Sequence, residues 1–345
     1  MNVDTLVLTQ QHVGKIVDLC GRDRFMERVI DRLHLALADP DHGVAPARDG
    51  FTRCPGGTGV IEWMPYHVPA GSMTLKTVSY TPTNPTSRHQ LPTINGTLTR
   101  FDDETGRLVA VCDAGLLTAV RTGAASAVAS RLLARPESRV LGLVGAGAQA
   151  VTQAHALSRV FPIEEILVHD AEPSHADSFA DRVGFLNLTV RRADLAELVS
   201  ASDIICTATT VGVGQGPVLL AEGFKDHVHI NAVGADLVGK TELPLSLLRS
   251  ALVVPDHMDQ ARHEGECQRL TEDEIGPQLS AVCGGPGDWT PYRNSMTVFD
   301  STGYALEDHV ALDVLIELAE ETGVGERLLI EHLPVDALNP YAFAG

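Results

Sequence analysis

The sequence predicts an α/β fold in which one domain is built on a parallel sheet and a second domain is α+β. Residues 139–256 alternate short apolar runs with helix-forming runs, which is the pattern of a parallel sheet covered by helices on both faces. The residues before about 125 instead show short β-like runs broken by glycine and proline. A chain of 345 residues has room for both domains.

The first region begins with a predicted helix over residues 22–38, because Phe25, Val29 and Leu33 fall at helical spacing. The β-like runs that follow predict an antiparallel sheet, and the DDETG segment at 102–106 predicts a hairpin turn within it. The strands are expected at 59–62, 73–80, 96–101 and 108–113.

The second region predicts six strands and three intervening helices. Asp194 and Glu197 form a capping-box pattern at the start of the third helix. The strands are expected at 139–145, 165–170, 189–192, 203–209, 228–234 and 251–256, and the helices at 149–161, 174–183 and 195–200. A last amphipathic helix is predicted over about 305–322, ending at Gly323. Residues 296–345 are expected to return to the first domain, so the parallel-sheet domain is an insertion.

Charge and composition exclude several classes of function. The formal net charge of −19 disfavours nucleic acid or an anionic membrane as a partner. No apolar run approaches the length of a membrane span. The six cysteines show no CxxC pair and the chain starts without a basic leader, so we expect reduced thiols in the cytoplasm. The histidines lack metal-ligand spacing, and no metal is expected.

The segment VLGLVGAGAQA at 140–150 predicts a strand, a glycine-rich turn and the start of a helix. Such a helix start directs free N–H groups and a positive dipole end at a pyrophosphate. A second strand ends at Asp170, where a ribose-binding carboxylate is expected in a Rossmann-type domain. No arginine follows Asp170 directly, so we expect NAD rather than NADP. The alternative is an ordinary helix cap with a surface aspartate.

Isolated charged residues lie beside apolar or glycine-rich strand ends. We expect Arg48, Lys76 and Arg121 to gather around a carboxylate, since arginine offers a bidentate fork and lysine a point charge. Glu62 and Asp236 would then meet amino groups, and Asp236 lies just past a parallel strand, where ligands bind in such sheets. Taken one by one, each residue has the alternative of a structural salt bridge or a surface charge.

Two further segments receive other interpretations. The charged run RHEGE at 262–266 is predicted to be a solvated or interface loop rather than part of a site. Trp63 and Met64 have two open interpretations, core packing or the wall of a pocket.

Glu62, Lys76, Arg121 and Asp236 lie in segments that resemble the ornithine cyclodeaminase/mu-crystallin family. The resemblance runs in order along almost the whole chain. The matching segments are VIEWMP (60–65), LKT (75–77), AVRTG (119–123), VGAGAQ (144–149), HINAVGADLVGKTE (229–242), EGECQ (264–268) and VFDSTG (298–303). Within that family the segments at 118–136 and 146–158 look close to actinomycete lysine cyclodeaminases.

The resemblance implies a Rossmann-type NAD-binding domain over 126–301 and a split α+β substrate-binding and dimerisation domain over 1–125 with 302–345. It implies a homodimer formed by β-sheet packing and NAD retained through the cycle. The implied catalytic residues are Asp236, Glu62 and Lys76. The implied substrate-binding residues are Arg48, Glu62, Met64, Lys76, Arg121, Asp236 and Thr302. The implied cofactor residues are Thr93, Arg121, Thr122, Gly145, Ala146, Gly147, Ala148, Gln149, Asp170, Thr209, Val233, Gly234, Ala235, Lys240 and Ser301.

The implied reaction is the redox-neutral cyclisation of L-lysine to L-pipecolate with loss of ammonia, a step suited to secondary metabolism. Hydride removal from Cα gives an imine, the ε-amine deprotonated by Asp236 closes the ring, and the hydride then returns. The alternatives are L-ornithine as substrate, giving L-proline, and an imine reductase or amino-acid dehydrogenase with exchangeable cofactor. A non-catalytic nucleotide-binding protein is the alternative from a different class.

Overall fold

The structure is a computed structural model that describes residues 4–53, 59–331 and 334–342. Within the described residues the chain divides into two compact units. Unit 1 comprises Met1–Cys20, Gly43–Leu116 and Leu315–Gly345, and unit 2 comprises Gly21–His42 and Leu117–Val314. Each unit contains one seven-stranded sheet.

The described strands, numbered along the chain, have three to six residues each except for the third, fourth and fifth, which have nine or ten. They are β1 (Thr5–Leu8), β2 (Asp49–Arg53), β3 (Gly59–Val68), β4 (Ser72–Tyr80), β5 (Ile94–Asp102), β6 (Leu108–Asp113), β7 (Val140–Val144), β8 (Glu165–His169), β9 (Thr189–Arg192), β10 (Ile204–Thr207), β11 (His229–Ala232), β12 (Leu252–Pro255), β13 (Thr297–Asp300) and β14 (Glu326–Leu328).

The helices include two long ones, α3 and α11, within which the boundary between the units falls. In chain order they are α1 (Gln10–Cys20), α2 (Arg22–Ala38), α3 (Gly115–Leu133), α4 (Ala148–Val160), α5 (Pro173–Asp177), α6 (Phe179–Arg182), α7 (Leu195–Ala201), α8 (Leu245–Ser250), α9 (Met258–Glu264), α10 (Leu279–Gly284) and α11 (Ala305–Thr322).

The sheet of unit 1 has the order β14-β1-β6-β5-β4-β3-β2. Strands β2 to β6 pair antiparallel with their neighbours, which confirms the predicted antiparallel arrangement. The sheet is nevertheless mixed, because β1 pairs parallel with β6. Strand β14 pairs antiparallel with β1, so the end of the chain completes this sheet. The predicted turn at 102–106 connects β5 to β6.

The sheet of unit 2 has the order β12-β13-β11-β10-β7-β8-β9, and all of its neighbours pair parallel. Its central strands are buried along their whole length, since two hydrophobic clusters cover the two faces of the sheet. This confirms the Rossmann-type parallel sheet. Because the carboxyl ends of parallel strands lie at one edge, the turns after β7, β10, β11 and β13 share that edge.

Several predicted elements differ in detail. The predicted helix at 174–183 is two short helices, α5 and α6, with Ser178 between them. Strand β13 was not predicted, yet it lies between β11 and β12. The capping box of α7 is half formed. Asp194 accepts the N–H of Glu197 at 2.8 Å, but the Glu197 carboxylate pairs with Arg191 at 2.7 Å instead of reaching back.

Helix α2 matches its predicted bounds and belongs to unit 2. It packs on α4 and α10, and Glu27 of α2 pairs with Arg159 of α4 at 2.6 Å. Helix α2 is therefore part of unit 2, although the predicted domain range of 1–125 includes it. The functional domain ranges, 1–125 with 302–345 and 126–301, stay a prediction.

Among the described residues no helix combines the length and the apolar content that spanning a membrane requires. The described cysteines Cys20, Cys112, Cys206, Cys267 and Cys283 are free thiols, and Cys54 lies outside the described residues.

Candidate active site

The glycine turn after β7 in unit 2 is where the sequence predicts a nucleotide. Gly145 has a φ of +92°, and a Cβ there would lie 2.6 Å from the carbonyl oxygen of Ala208. Only glycine fits this backbone and this close approach. A Cβ at Gly147 would meet no atom within 4 Å, so the backbone that starts α4 borders open space. Gly147 is the N-cap residue of α4, and in the described structure no side chain caps this helix start. The first N–H groups of α4 are therefore left for an anion.

Asp170 follows β8 and reaches back to the same turn. Its carboxylate accepts the N–H of Ala146 at 2.7 Å and the N–H of Glu172 at 2.8 Å. The Oδ2 atom that accepts the Ala146 N–H has a second lone pair, which suits a ribose hydroxyl, whereas Oδ1 also faces Nδ1 of His175 at 3.5 Å. The fold also brings Arg182 of α6 to this turn, where its Nη1 donates to the carbonyl of Ala146 at 2.5 Å. Arg182 was not predicted to lie here, because it does not follow Asp170 directly in the sequence and only the fold brings it to the turn.

A buried carboxylate, Glu242, joins the turns after β10 and β11. It accepts hydrogen bonds from Thr207, Thr209 and the N–H of Gly234 at 2.6 to 2.8 Å. Val233 is held as well, since its N–H donates to the carbonyl of Thr207 at 2.9 Å. Glu242 was not predicted as a functional residue, although it ends the segment that carries the family resemblance.

Asp236 pairs with Lys240 in the turn that follows Gly234. The Lys240 Nζ lies 2.9 Å from Oδ1 of Asp236, and the lysine is buried whereas about a third of the Asp236 side chain is exposed. Gln268 holds this turn: its Oε1 accepts the N–H of Gly239 at 2.7 Å and its Nε2 donates to the carbonyl of Lys240 at 3.0 Å. Asp236 is therefore a fixed carboxylate with one face toward solvent.

The prediction that 262–266 is a solvated or interface loop is wrong for its acidic residues. Glu264 and Glu266 are buried. Glu266 accepts the N–H groups of Glu242 and Leu243, and Asp300 of β13 accepts the N–H of Glu266 at 3.0 Å. The carboxylates of Glu266 and Asp300 accept backbone N–H groups, so these two side chains belong inside the unit.

Burial changes the protonation of the acidic pair formed by Glu266 and Asp300. Burial, with repulsion from Asp256 adding to it, raises the pKa of Asp300 to about 7 despite the N–H groups that it accepts. Burial and the nearby charge of Asp300 raise the pKa of Glu266 well above its usual range. The pair therefore holds fewer charges at neutral pH than its formal count suggests.

Arg121 of α3 is buried between two carboxylates of α11. Its Nη1 lies 2.6 Å from Glu307 and its Nε 3.2 Å from Asp308. Burial raises the pKa of Glu307 to about 8, although the guanidinium opposes that shift. A Cβ at Gly303, where φ is +92°, would lie 2.8 Å from Nη1 of Arg121, so the glycine permits this approach. Glycine at position 303 therefore allows the Arg121 guanidinium to approach the backbone closely.

Thr302 and Thr122 lie in the same unit as Arg121. The Thr302 hydroxyl donates to Asp256 at 2.9 Å and accepts from Gln260 at 2.9 Å. The Thr122 hydroxyl donates to the carbonyl of Thr118 within α3 at 2.8 Å. Both threonines are buried and oriented by these bonds.

Unit 1 brings four predicted residues to one face of its sheet or beside it. Met64 of β3 lies directly opposite Lys76 of β4, and Glu62 shares their face because strand side chains alternate. Arg48 lies 3.8 Å from the Glu62 carboxylate. Met64 and Lys76 are almost completely buried. Trp63 points to the opposite face, so it does not share a face with these residues.

The remaining predicted cofactor residues occupy turns at strand ends or the starts of helices. Thr93 precedes β5 in unit 1, where its carbonyl accepts the N–H of Thr81 at 2.7 Å. The others lie in unit 2: Ala146, Ala148 and Gln149 at the start of α4, Ala235 in the turn after β11, and Ser301 after β13. No group of three or more His, Cys, Asp or Glu side chains in the described structure is placed to hold a metal ion.

The comparisons with known proteins show the family. The model of the ornithine cyclodeaminase/mu-crystallin family matches residues 10–323. The chain belongs to this family. It is 49% identical over 343 residues to a protein of Streptomyces rapamycinicus named L-lysine cyclodeaminase, covering 99% of this chain and all of that one. It is 32% identical to an alanine dehydrogenase of Archaeoglobus fulgidus, covering 94% of this chain and 98% of that one.

Solved structures of family members have the same fold. One is a lysine cyclodeaminase described as recognising L-lysine, L-ornithine and L-2,4-diaminobutyric acid. It superposes with a TM-score of 0.95 at 52% identity, covering 99% of this chain and all of that one. An archaeal alanine dehydrogenase dimer with bound NAD superposes with a TM-score of 0.84 at 31% identity, covering 95% of this chain and all of that one.

Proposed function

We propose that this protein catalyses the redox-neutral cyclodeamination of L-lysine to L-pipecolate, releasing ammonia and using NAD catalytically. The observation that carries the proposal is the near full-length identity of 49% to a relative named L-lysine cyclodeaminase. The chemistry of unit 2 supports it, because a nucleotide-type glycine turn and the Asp236 carboxylate follow strands of one parallel sheet at the same edge.

The residues present fit NAD. Open space beside Gly147 and the uncapped start of α4 suit the pyrophosphate, and Asp170 suits the adenosine ribose. NAD supplies a hydride acceptor for the substrate Cα and later a hydride donor, so no net oxidation occurs. The proposed contacts continue with Thr93, Thr122, Thr209, the turn at 233–235, Lys240 and Ser301.

Charged side chains of the chain orient the amino acid. We assign Arg48, Lys76 and Arg121 to its carboxylate. The described ion pairs of Arg121 use Nη1 and Nε, so we assign Nη2 to the substrate. Glu62 and Met64 border the distal end of the side chain, and Thr302 contributes a hydroxyl. Holding the side chain of the substrate in this way places its ε-amine near Cα and replaces a bimolecular encounter.

Asp236 moves the proton that ring closure requires. The ε-ammonium of lysine has an ordinary pKa of about 10.4, so it must lose a proton before its nitrogen can attack an electrophilic carbon. The Asp236 carboxylate is the proposed acceptor of that proton, with Lys240 fixing its Oδ1. Departure of ammonia then needs a proton at nitrogen, which the same carboxyl group can return.

The test combines purified protein with L-lysine and substoichiometric NAD. We expect L-pipecolate and ammonia in equal amounts, exceeding the NAD supplied, without accumulation of NADH. NADH formed in step with product would instead indicate an amino-acid dehydrogenase. Binding of NAD without turnover of any diamino acid would favour a non-catalytic nucleotide-binding protein. The same assay with a cyclic imine and NADH tests the imine reductase alternative.

L-Ornithine is a second candidate substrate, giving L-proline. It is favoured by the description of the solved relative as recognising both amino acids. The two substrates differ by one methylene, which is worth about 0.8 kcal/mol of burial. We expect turnover of both, with discrimination between them of about 10- to 200-fold at most.

We also propose a cytoplasmic homodimer that supplies pipecolate for secondary metabolism. The face of β2 and β3 that carries Phe51 and Trp63 supports a dimer. Phe51 is 71% exposed, and its ring lies 5.3 Å from that of Trp63. Ile61 adds to this face. A related alanine dehydrogenase is described as a dimer. Apolar side chains of this size on a sheet face favour burial against a second copy.

Asp170→Asn is expected to reduce selectivity for NAD over NADP. The substitution removes the negative charge that repels a 2′-phosphate, and Arg182 already reaches this turn. We expect affinity for NADH to fall about 10- to 100-fold, the cost of a lost charge-assisted bond, with a smaller change for NADPH. Fluorescence titration with both nucleotides measures the ratio. Glu172→Gln in the same turn is the control, and an unchanged ratio in Asp170→Asn would contradict the ribose assignment.

A further inference from the structure

Glu242 is a completely buried carboxylate whose contacts all lie at the edge of the sheet that carries the proposed cofactor site. One oxygen accepts the Thr207 hydroxyl at 2.6 Å and the N–H of Gly234 at 2.7 Å. The other accepts both the N–H and the hydroxyl of Thr209, at 2.8 and 2.6 Å. Four donors on one carboxylate satisfy a buried charge that would otherwise be costly.

These donors belong to two different turns. Thr207 ends β10 and Thr209 lies in the turn after it, whereas Gly234 lies in the turn after the neighbouring strand β11. A Cβ at Gly234 would lie 2.3 Å from Glu242 Oε1, so the second turn packs directly on the carboxylate. Glu242 therefore fixes the position of each turn relative to the other.

The backbone of Glu242 is itself fixed on both sides. Its N–H donates to Glu266 Oε1 at 2.5 Å, and its carbonyl accepts the N–H of Val218 at 2.8 Å. Glu266 is in turn held by Asp300 of β13. The backbone of Glu242 is thus bound to the loops that surround β11 and β13, and these bonds restrict movement of its carboxylate.

We propose that Glu242 is a positioning residue for the cofactor and for Asp236. The inference rests on the proposed function, which assigns Thr209 and the turn at 233–235 to NAD. Asp236 lies two residues after Gly234 in that turn. The bond to the Gly234 N–H therefore also helps to set the backbone position from which the proton-transferring carboxylate extends. Glu242 touches neither substrate nor cofactor in this role; it acts through the two turns.

The test is Glu242→Gln, measured by NADH titration and lysine turnover. A glutamine keeps the size of the side chain but replaces one oxygen by an NH₂ group. In either orientation of the amide, the N–H of Thr209 or of Gly234 then faces a donor. We expect the Kd for NADH to rise about 10- to 100-fold and kcat to fall as well, since an unsatisfied backbone N–H displaces its turn.

The matched control is Asp203→Asn at the opposite edge of the same sheet. Asp203 also accepts two backbone N–H groups, those of Arg139 and Val140, at 2.8 and 3.0 Å. The control is expected to lower the melting temperature while leaving the Kd for NADH within about twofold of wild type. A general loss of stability would affect both variants, whereas a positioning role weakens NADH binding only in Glu242→Gln.

Thr207→Val keeps the proposal testable if Glu242→Gln does not fold. It removes one buried donor to Glu242 and no residue that we assign to the cofactor. We expect a rise in the NADH Kd of about three- to tenfold. Wild-type affinity for NADH and wild-type kcat in a folded variant at either position would overturn the positioning role. A wild-type protein that binds no NADH would overturn the proposed function, and the positioning role with it.

Discussion

Asp236→Asn is expected to abolish most lysine turnover while leaving the fold and NADH binding intact. The asparagine keeps an oxygen that can accept the bond from Lys240, which lies 2.9 Å from Oδ1 of Asp236. It loses the capacity to take a proton from the ε-ammonium. General acid–base groups contribute about 10²- to 10⁴-fold to rate, and we expect a loss of kcat in that range.

The measurement is pipecolate formation at saturating lysine, with circular dichroism and NADH titration on the same sample. Asp31→Asn is the control, since Asp31 forms an exposed ion pair with Arg131 at 3.3 Å. We expect wild-type turnover in the control. Turnover near the wild-type rate in Asp236→Asn would show that another group transfers the proton, and the proposed mechanism would be wrong.

Local pattern predicted much of the fold. Helix α2 and strand β9 have their predicted bounds, because helical spacing and short β-rich runs depend only on neighbouring residues. Strand β13 was not predicted, because its place between β11 and β12 depends on pairing across the sheet. The break at Ser178 has no signal in the local periodicity of residues 174–183.

The predicted site likewise divides into residues with a local sequence signal and residues without one. Residues with a local signal, such as Gly145 and Asp170, lie at the glycine turn as the motif predicts. Glu242 and Gln268 had no signal of that kind, because their partners lie on other strands and loops. The buried state of Glu266 was also missed, since a charged run is usually solvated and only the fold supplies the backbone donors that it binds.

Arg121→Met is expected to lower the stability of unit 2 strongly. It leaves Glu307 and Asp308 buried without the guanidinium that lies 2.6 and 3.2 Å from them. Removing one partner of a buried ion pair costs about 3 to 5 kcal/mol. Arg131→Met on the same helix is the control: its partner Asp31 is exposed, so we expect a change of about 1 kcal/mol or less.

The pH dependence of this loss separates an unpaired charge from a packing defect. In the wild type the pKa of Glu307 rises from 4.5 to about 8 on folding, so its contribution to stability falls between those pH values and then levels off. Without Arg121 the folded pKa rises further, and stability continues to fall above pH 8. Urea unfolding at pH 6 and pH 9 should therefore show a larger deficit at pH 9. A deficit of equal size at both would mean that lost packing, not the unpaired carboxylate, destabilises the variant.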